Sequence, residues 1–195
     1  MLIDRSTKPD TRQKILEAAY GILSRHGYEN TSIKDIAEEA GVAPGLVHYY
    51  FKSKQQLVLD VLVEVCHKLE IGGAVGTEGA QEAYAKFKAM LKSDRATHAL
   101  YIQLLTVGMH DTEVGAGALK FLREDRAHIE QIASQVLAQR EQNPAAAKAI
   151  ASVIEAAVLG IMIQNLVDPE FDADEAVDAL NEMSLSAVFT AAQNS

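Results

Sequence analysis

Four histidines, His67, His98, His110 and His128, and 27 Asp and Glu side chains are the groups in this chain best suited to hold a metal or move a proton. Their spacing supports neither task. No two of these histidines stand four residues apart, as a helical metal site needs, and no carboxylate pattern accompanies them. A GxSxG nucleophile elbow and an HExxH helix are both absent. Gly72-Gly73-Ala74-Val75-Gly76 follows a helical pattern, so it lacks the strand that a dinucleotide-binding loop requires. The single cysteine, Cys66, excludes a disulfide framework and a thiolate zinc cluster within one chain. It reads as a small buried hydrophobe in a reducing compartment. The sequence therefore predicts no enzyme, no metal and no cofactor, and what remains is the chemistry of recognition.

Two regions carry groups suited to recognition. The first runs from Thr31 to Phe51, TSIKDIAEEAGVAPGLVHYYF. Ile33, Ile36, Ala37 and Ala40 mark one short helix, Gly41 ends it, and Pro44 suits the first turn of the next. Ile36, Ala37, Val42 and Val47 are spaced to pack the two helices across each other. That is helix-turn-helix geometry, which lets a second helix enter a major groove about 12 Å wide. The second region lies downstream. Phe87, Met90, Tyr101, Leu104, Leu105, Met109, Phe121 and His128 stand near helical spacing, with Tyr84, His98, Gln103 and His110 among them. Apolar walls with a few orienting polar groups suit a small-molecule pocket between helices, and the same side chains also suit an ordinary core.

Helices must position all of this. Ile15, Ala18, Ala19, Ile22 and Leu23 share a face of the first, which Asp10 and Gln13 are expected to cap and His26-Gly27 to stop. Ser53 with Gln56 opens the fourth, over about 53–70. Four glycines within 72–79 read as a linker, and further helices follow at roughly 80–92, 95–109, 115–141, 145–167 and 173–192, the last capped by Asp172 and Glu175. No segment alternates with period two, so the fold class is all-α with about nine helices. The expected division is a helix-turn-helix domain over 1–54 and a ligand-binding and dimerisation bundle over 55–195, with the fourth helix bridging the two.

Length and charge agree with that division. The chain has 195 residues, 48% hydrophobic and 23% charged, which excludes a disordered or fibrous chain. Net charge is −9, yet residues 1–54 carry +1 and residues 55–195 carry −10. A near-neutral nucleic-acid module on an acidic body fits this asymmetry. The longest apolar run, Ala156 to Ile163, falls short of the roughly 20 residues a bilayer needs. With no apolar stretch after the first charges, the expected address is the cytoplasm, away from membrane. A helix apolar on all sides must be covered on all sides. Val153, Ala157 and Ile161, with Leu180, Met183, Ser184, Ala187 and Val188 on the last helix, are therefore expected to meet a second copy in a four-helix bundle, the alternative being an intrachain core.

Residues 11–62 resemble the DNA-binding region of TetR-type transcriptional regulators. The Gly27-Tyr28 stop, the Ile36-Ala37-x-x-Ala40-Gly41-Val42 core and Tyr49-Tyr50-Phe51-Lys52-Ser53-Lys54 carry the resemblance. The wording of Val42 to Phe51 is similar to the betaine-regulator branch of that family. The resemblance implies a homodimeric repressor on a pseudo-palindromic double-stranded DNA operator, released by a small-molecule effector. It places Thr31, Ser32 and Lys34 at DNA phosphates, and Ala43, Pro44, Gly45 and Leu46 at base edges, with Leu46 able to meet a thymine methyl. His48, Tyr49, Tyr50 and Lys54 follow as further DNA contacts, while Phe51 suits the core. Ala43 and Leu46 stand where the family often has Ser or Thr, and the second helix lacks the Arg, Asn or Gln that read bases bidentately. That absence keeps open a second reading, a ligand-binding or interaction module on the same scaffold without sequence-specific DNA binding.

Overall fold

A computed structural model describes residues 10–69, 75–93 and 95–190, without the side chains of 66–69 and 186–190. The described residues form nine α-helices and one 3-10 turn, with no strand among them. The helices are α1 (Thr11–His26), α2 (Ile33–Glu39), α3 (Pro44–Tyr50), α4 (Lys54–Leu69), α5 (Gly76–Ser93), α6 (Arg95–Val107), α7 (Thr112–Gln139), α8 (Ala147–Val167) and α9 (Ala173–Thr190). They group into two compact units, which are described separately. One holds the chain up to residue 68 together with 99–118, and the other holds the remainder. By packing, α4 and most of α6 side with the N-terminal helices.

In the first unit α1 buries Ile15, Leu16, Ala19, Ile22 and Leu23, the face its periodicity predicts. Gly27 stops it with φ 77°, its N–H reaching the Leu23 carbonyl at 2.8 Å. The Asp10 side chain makes no capping bond, contrary to expectation. Ser53 does cap α4, accepting from the Gln56 N–H at 3.0 Å, and Leu57, Val58, Val61, Leu62 and Val65 fill its buried stripe. Arg12 pairs with Asp60 at 2.5 Å and lies 5.2 Å from the centre of the Phe51 ring, tying α1 to α4 and to the end of α3. The corner between α6 and α7 is tight. A Cβ on Gly115 would strike the Gly108 carbonyl, and one on Gly117 would strike the Leu59 side chain of α4. α7 begins at Thr112, earlier than its apolar pattern suggested. Asp111 caps it through Oδ1, which accepts from the Glu113 and Val114 N–H groups at 3.0 Å each.

In the second unit α5 begins at Gly76, inside the glycine-rich stretch read as a linker. Glutamines near the end of α7 explain this early start. Gln135 Oε1 accepts from the Gly76 N–H at 3.0 Å, and Gln139 Oε1 accepts from the Thr77 N–H at 3.0 Å. These bonds satisfy donors that a helix start otherwise leaves open. Along the seam of α5 with α9, the Tyr84 hydroxyl donates to Ser184 Oγ at 2.9 Å, and Lys88 and Lys92 pair with Asp178 and Asp174 at 2.5 and 2.6 Å. Asp172 caps α9 as expected, accepting from the Glu175 N–H at 2.9 Å.

α8 turns Ala147, Ala151, Glu155, Ile161 and Met162 inward. Ile161 and Leu180, expected at an interface between copies, are thus buried in their own chain. Glu155 is buried beside Arg126, whose Nε stands 2.5 Å from Oε2. The outward stripe of α8 carries Val153, Ala156, Ile163, Gln164 and Val167, and Val153 is 68% exposed. The 24-residue stretch Pro144–Val167 is by length and composition long and apolar enough to cross a membrane. The eight-residue run seen in the sequence understated this, because scattered alanines prolong the apolar character well beyond Ala156–Ile163.

α7 ends in a Schellman turn. The Gln142 N–H reaches the Leu137 carbonyl at 2.9 Å, and the Glu141 N–H reaches the Ala138 carbonyl at 3.1 Å. Glu141 sits at φ 57°, where a Cβ is strained and glycine is not. Glu141→Gly is therefore expected to raise stability by about 1 kcal/mol, read as a higher urea midpoint with unchanged m-value.

Candidate nucleic-acid interface

α2 is held at its start by a reciprocal cap. Ser32 Oγ accepts from the Asp35 N–H at 3.2 Å and donates to Asp35 Oδ2 at 2.6 Å, and the Ser32 N–H donates to the same oxygen at 2.8 Å. The Ser32 hydroxyl and N–H hold the Asp35 carboxyl below its usual range. The pattern Ser-x-x-Asp, with Asp in place of the commoner Glu, was the legible signal for this box. α2 ends in a Schellman turn in which the Val42 N–H reaches the Ala37 carbonyl at 2.9 Å and the Gly41 N–H reaches the Glu38 carbonyl at 3.0 Å. Gly41 takes φ 64°, the left-handed conformation this turn demands.

α3 then leaves on a new heading. Ala43 offers no side-chain cap, and Pro44 fixes the first turn instead. Val47 is fully buried, as is Phe51 just after the helix, and these two side chains anchor α3. Ala43, Pro44, Gly45, Leu46, His48 and Tyr49 all face solvent, Tyr49 at 79% exposure, while Tyr50 is half-buried. The Tyr49 and Tyr50 rings meet edge to face, with centres 5.1 Å apart. Ser32 and Lys34 at the start of α2 are exposed as well. The arrangement is a short helix pinned along one line and bare on the rest of its surface, with the start of a second helix beside it.

Two residues expected at DNA are engaged elsewhere. Thr31 is buried, and its hydroxyl donates to the Gly27 carbonyl at 2.7 Å, so it closes the α1–α2 turn. Lys54 is half-buried. Its ammonium donates to the Tyr28 carbonyl at 2.5 Å and lies 3.9 Å from the centre of the Tyr28 ring. Both placements share one cause: at a sharp turn, backbone carbonyls that no helix satisfies compete for nearby donors.

A polar cluster that sequence reasoning missed adjoins this turn. Asp111 Oδ2 accepts from the Tyr28 hydroxyl and from Gln55 Nε2, at 3.3 Å each. Burial, and then the Asp111 carboxylate, push the Tyr28 hydroxyl up to about 12. The Val114 N–H, ahead of Gln55 and Tyr28, holds the Asp111 carboxyl below its usual range. The one available signal was an Asp directly before a Thr-Glu helix start; its distant partners left no trace in local spacing.

The side chains expected to line a small-molecule pocket fall into two groups. Phe87, Tyr101 and Leu104 are buried, and Met90, Leu105 and Phe121 are half-buried. Met109 is 76% exposed and His128 is exposed, so these two do not line an enclosed cavity. Met109 lies in the turn after α6, and His128 lies midway along α7 on a side that faces solvent. An open cleft of about 380 Å³ is lined instead by Leu91, Lys92, Asn165 and Phe171, with the acidic Glu170, Asp172 and Asp174. Of the expected interface residues, Met183 is 68% exposed and Ala157 half-buried. Ser184 is half-buried and occupied by Tyr84, and Ala187 and Val188 lie outside the described side chains.

An outward short helix, braced by a second helix across a left-handed glycine turn, defines a helix-turn-helix protein. Residues 15–61 match the family model described as bacterial regulatory proteins, tetR family. A Lactococcus lactis protein, named as an uncharacterized HTH-type transcriptional regulator in the lacX 3' region, is 30% identical over 185 residues, covering 84% of this chain and 90% of that protein. The HTH-type transcriptional regulator BetI of Agrobacterium fabrum is 44% identical over 55 residues, which span only 28% of this chain and 27% of BetI. The transcriptional regulator FadR from Bacillus subtilis, solved in complex with stearoyl-CoA, shares the fold with a TM-score of 0.75 at 18% identity, over 89% of this chain and 97% of that one. This chain belongs to the tetR family of bacterial transcriptional regulators.

The two depressed carboxyls predict a pH dependence. A carboxyl whose folded pKa lies below its unfolded value stabilises the fold above the unfolded value, near 4, and that stability is lost as pH falls through the folded one. The urea midpoint is expected to hold steady from pH 7 to about 5 and to fall below pH 4, with Asp35→Asn flattening part of that fall.

Proposed function

We propose that this protein is a homodimeric repressor that binds a pseudo-palindromic operator and leaves it when a small-molecule effector binds. The observation that carries the reading is the bare surface of α3. Burying only Val47 leaves Leu46 and Tyr49 in water, an arrangement that suits a helix meant to meet another surface. In this reading Lys34 holds phosphate, Pro44, Gly45 and Leu46 approach base edges, and His48, Tyr49 and Tyr50 complete the contact, while Ser32, whose hydroxyl and N–H are given to Asp35, serves by fixing the start of α2.

Geometry is the proposed mechanism. Two copies of α3 must enter successive major grooves about 34–36 Å apart. The outward stripe of α8 with Met183 of α9 supplies the face for the second copy, replacing Ile161 and Leu180 in that role. An effector lowers DNA affinity only by binding one spacing better than the other, a coupling typically of about 1–3 kcal/mol. FadR, a protein of like fold, is solved in complex with stearoyl-CoA, so a small molecule can be held on this scaffold. The acidity of residues 55–195 keeps DNA to the N-terminal face. The cytoplasm is the address that fits these roles, and the apolar stripe of α8 is read as a surface for protein rather than for lipid.

Gel shift against the DNA upstream of its own gene, and selection from random-sequence duplexes, test the reading. A specific band and an enriched, two-fold symmetric sequence are expected. Their absence would favour a ligand-binding or interaction module, the alternative that the lack of Arg, Asn and Gln on α3 suggests. Lys34→Ala is expected to weaken binding to all sequences alike and to reduce the slope of log affinity against log salt by about one. Val153→Arg is expected to give a folded monomer in sedimentation, and a variant that stays dimeric would remove α8 from the interface.

A further inference from the structure

The Asp111 carboxylate meets the helix-turn-helix at both of its ends, and we propose that Asp111 is a positioning residue for DNA recognition. The inference rests on the reading of α3 as the recognition helix. Tyr28 lies in the turn between α1 and α2, and Gln55 in the first turn of α4, which follows α3. Oδ2 of Asp111 accepts a hydrogen bond from each, while Oδ1 is occupied by the first N–H groups of α7. Lys54 closes the loop by donating to the Tyr28 carbonyl, so the two ends are tied to each other as well as to Asp111. Everything between those ends is α2, its turn and α3.

This arrangement adds a second tether to α3, whose start is set by the Gly41 turn and Pro44. Val47 and Phe51 set its depth through apolar packing, which has no preferred direction. Hydrogen bonds are directional, and those at Asp111 join residues 83 and 56 positions apart in the chain. Burial and the low-lying Asp111 carboxyl keep both partners in the required protonation states at neutral pH. Asp111 touches no nucleic acid in this account: it acts through the two ends of the segment that does.

Two substitutions separate positioning from folding. Asp111→Asn keeps an Oδ1 acceptor for the α7 cap and turns an NH2 group toward two donors, so it breaks the tie selectively. Tyr28→Phe removes one hydroxyl and leaves the ring beneath Lys54. Duplexes are first selected from a random-sequence pool with the wild-type chain, and each variant is then titrated with a selected duplex and with a scrambled one. Asp111→Asn is expected to lower affinity for the selected duplex about five- to tenfold, the size of one ordinary net hydrogen bond, with scrambled-duplex affinity within about twofold. Tyr28→Phe is expected to act in the same direction, and the double variant to fall short of the product of the two losses. A role in folding alone would instead lower the melting temperature and weaken both duplexes together. Selected-to-scrambled ratios equal to wild type in both variants overturn this inference alone. A wild-type chain that enriches no sequence overturns the regulator reading, and this inference with it. Should Asp111→Asn fail to fold, the ratio for Tyr28→Phe decides.

Discussion

α3 is too short to persist by itself. A helix of two turns in water is far below the length at which hydrogen bonding repays nucleation. It exists here because Val47 and Phe51 are buried among the side chains of the surrounding helices, and because Pro44 sets its first φ in advance. Everything about the outer face follows from that thin attachment. One line of contact is enough to fix the helix, so most of the remaining positions are free of packing duty.

The polar groups of the first unit separate by the same logic. Thr31 and Lys54 are drawn inward, to the Gly27 and Tyr28 carbonyls. Asp35 serves the backbone of α2, and Asp111 serves α7 and two distant side chains. Ser32, Lys34, His48 and Tyr49 stay at the surface. The turns therefore consume several of the donors that composition alone would assign to a polyanion, and the candidate surface is less cationic than a count over residues 1–54 implies.

Periodicity made most of this fold legible. The buried faces of α1, α2 and α4, the Gly27 and Gly41 stops, the Ser32, Ser53 and Asp172 caps and the outward α3 all follow from local patterns, because each depends on residues within one or two turns of one another. What stayed hidden depends on distant partners. Gln135 and Gln139 let α5 begin inside a glycine-rich stretch, and no window around Gly76 contains them. Ile161 and Leu180 turn inward because Met162, Val177 and their neighbours do, a choice of face that an evenly apolar helix does not announce. Tyr28, Gln55 and Asp111 come together only in three dimensions, each looking like an ordinary surface residue in its own segment.

The tight corner at Gly108 and Gly115 has a mechanical meaning. Where two backbones touch with no side chain between them, nothing can be squeezed or re-rotamerised to absorb strain, and packed protein is already close to incompressible. Such a joint works like a fitted hinge pin with no clearance: a bulkier residue at Gly115 would have to push the Gly108 carbonyl, and with it the path of the chain between α6 and α7, out of place.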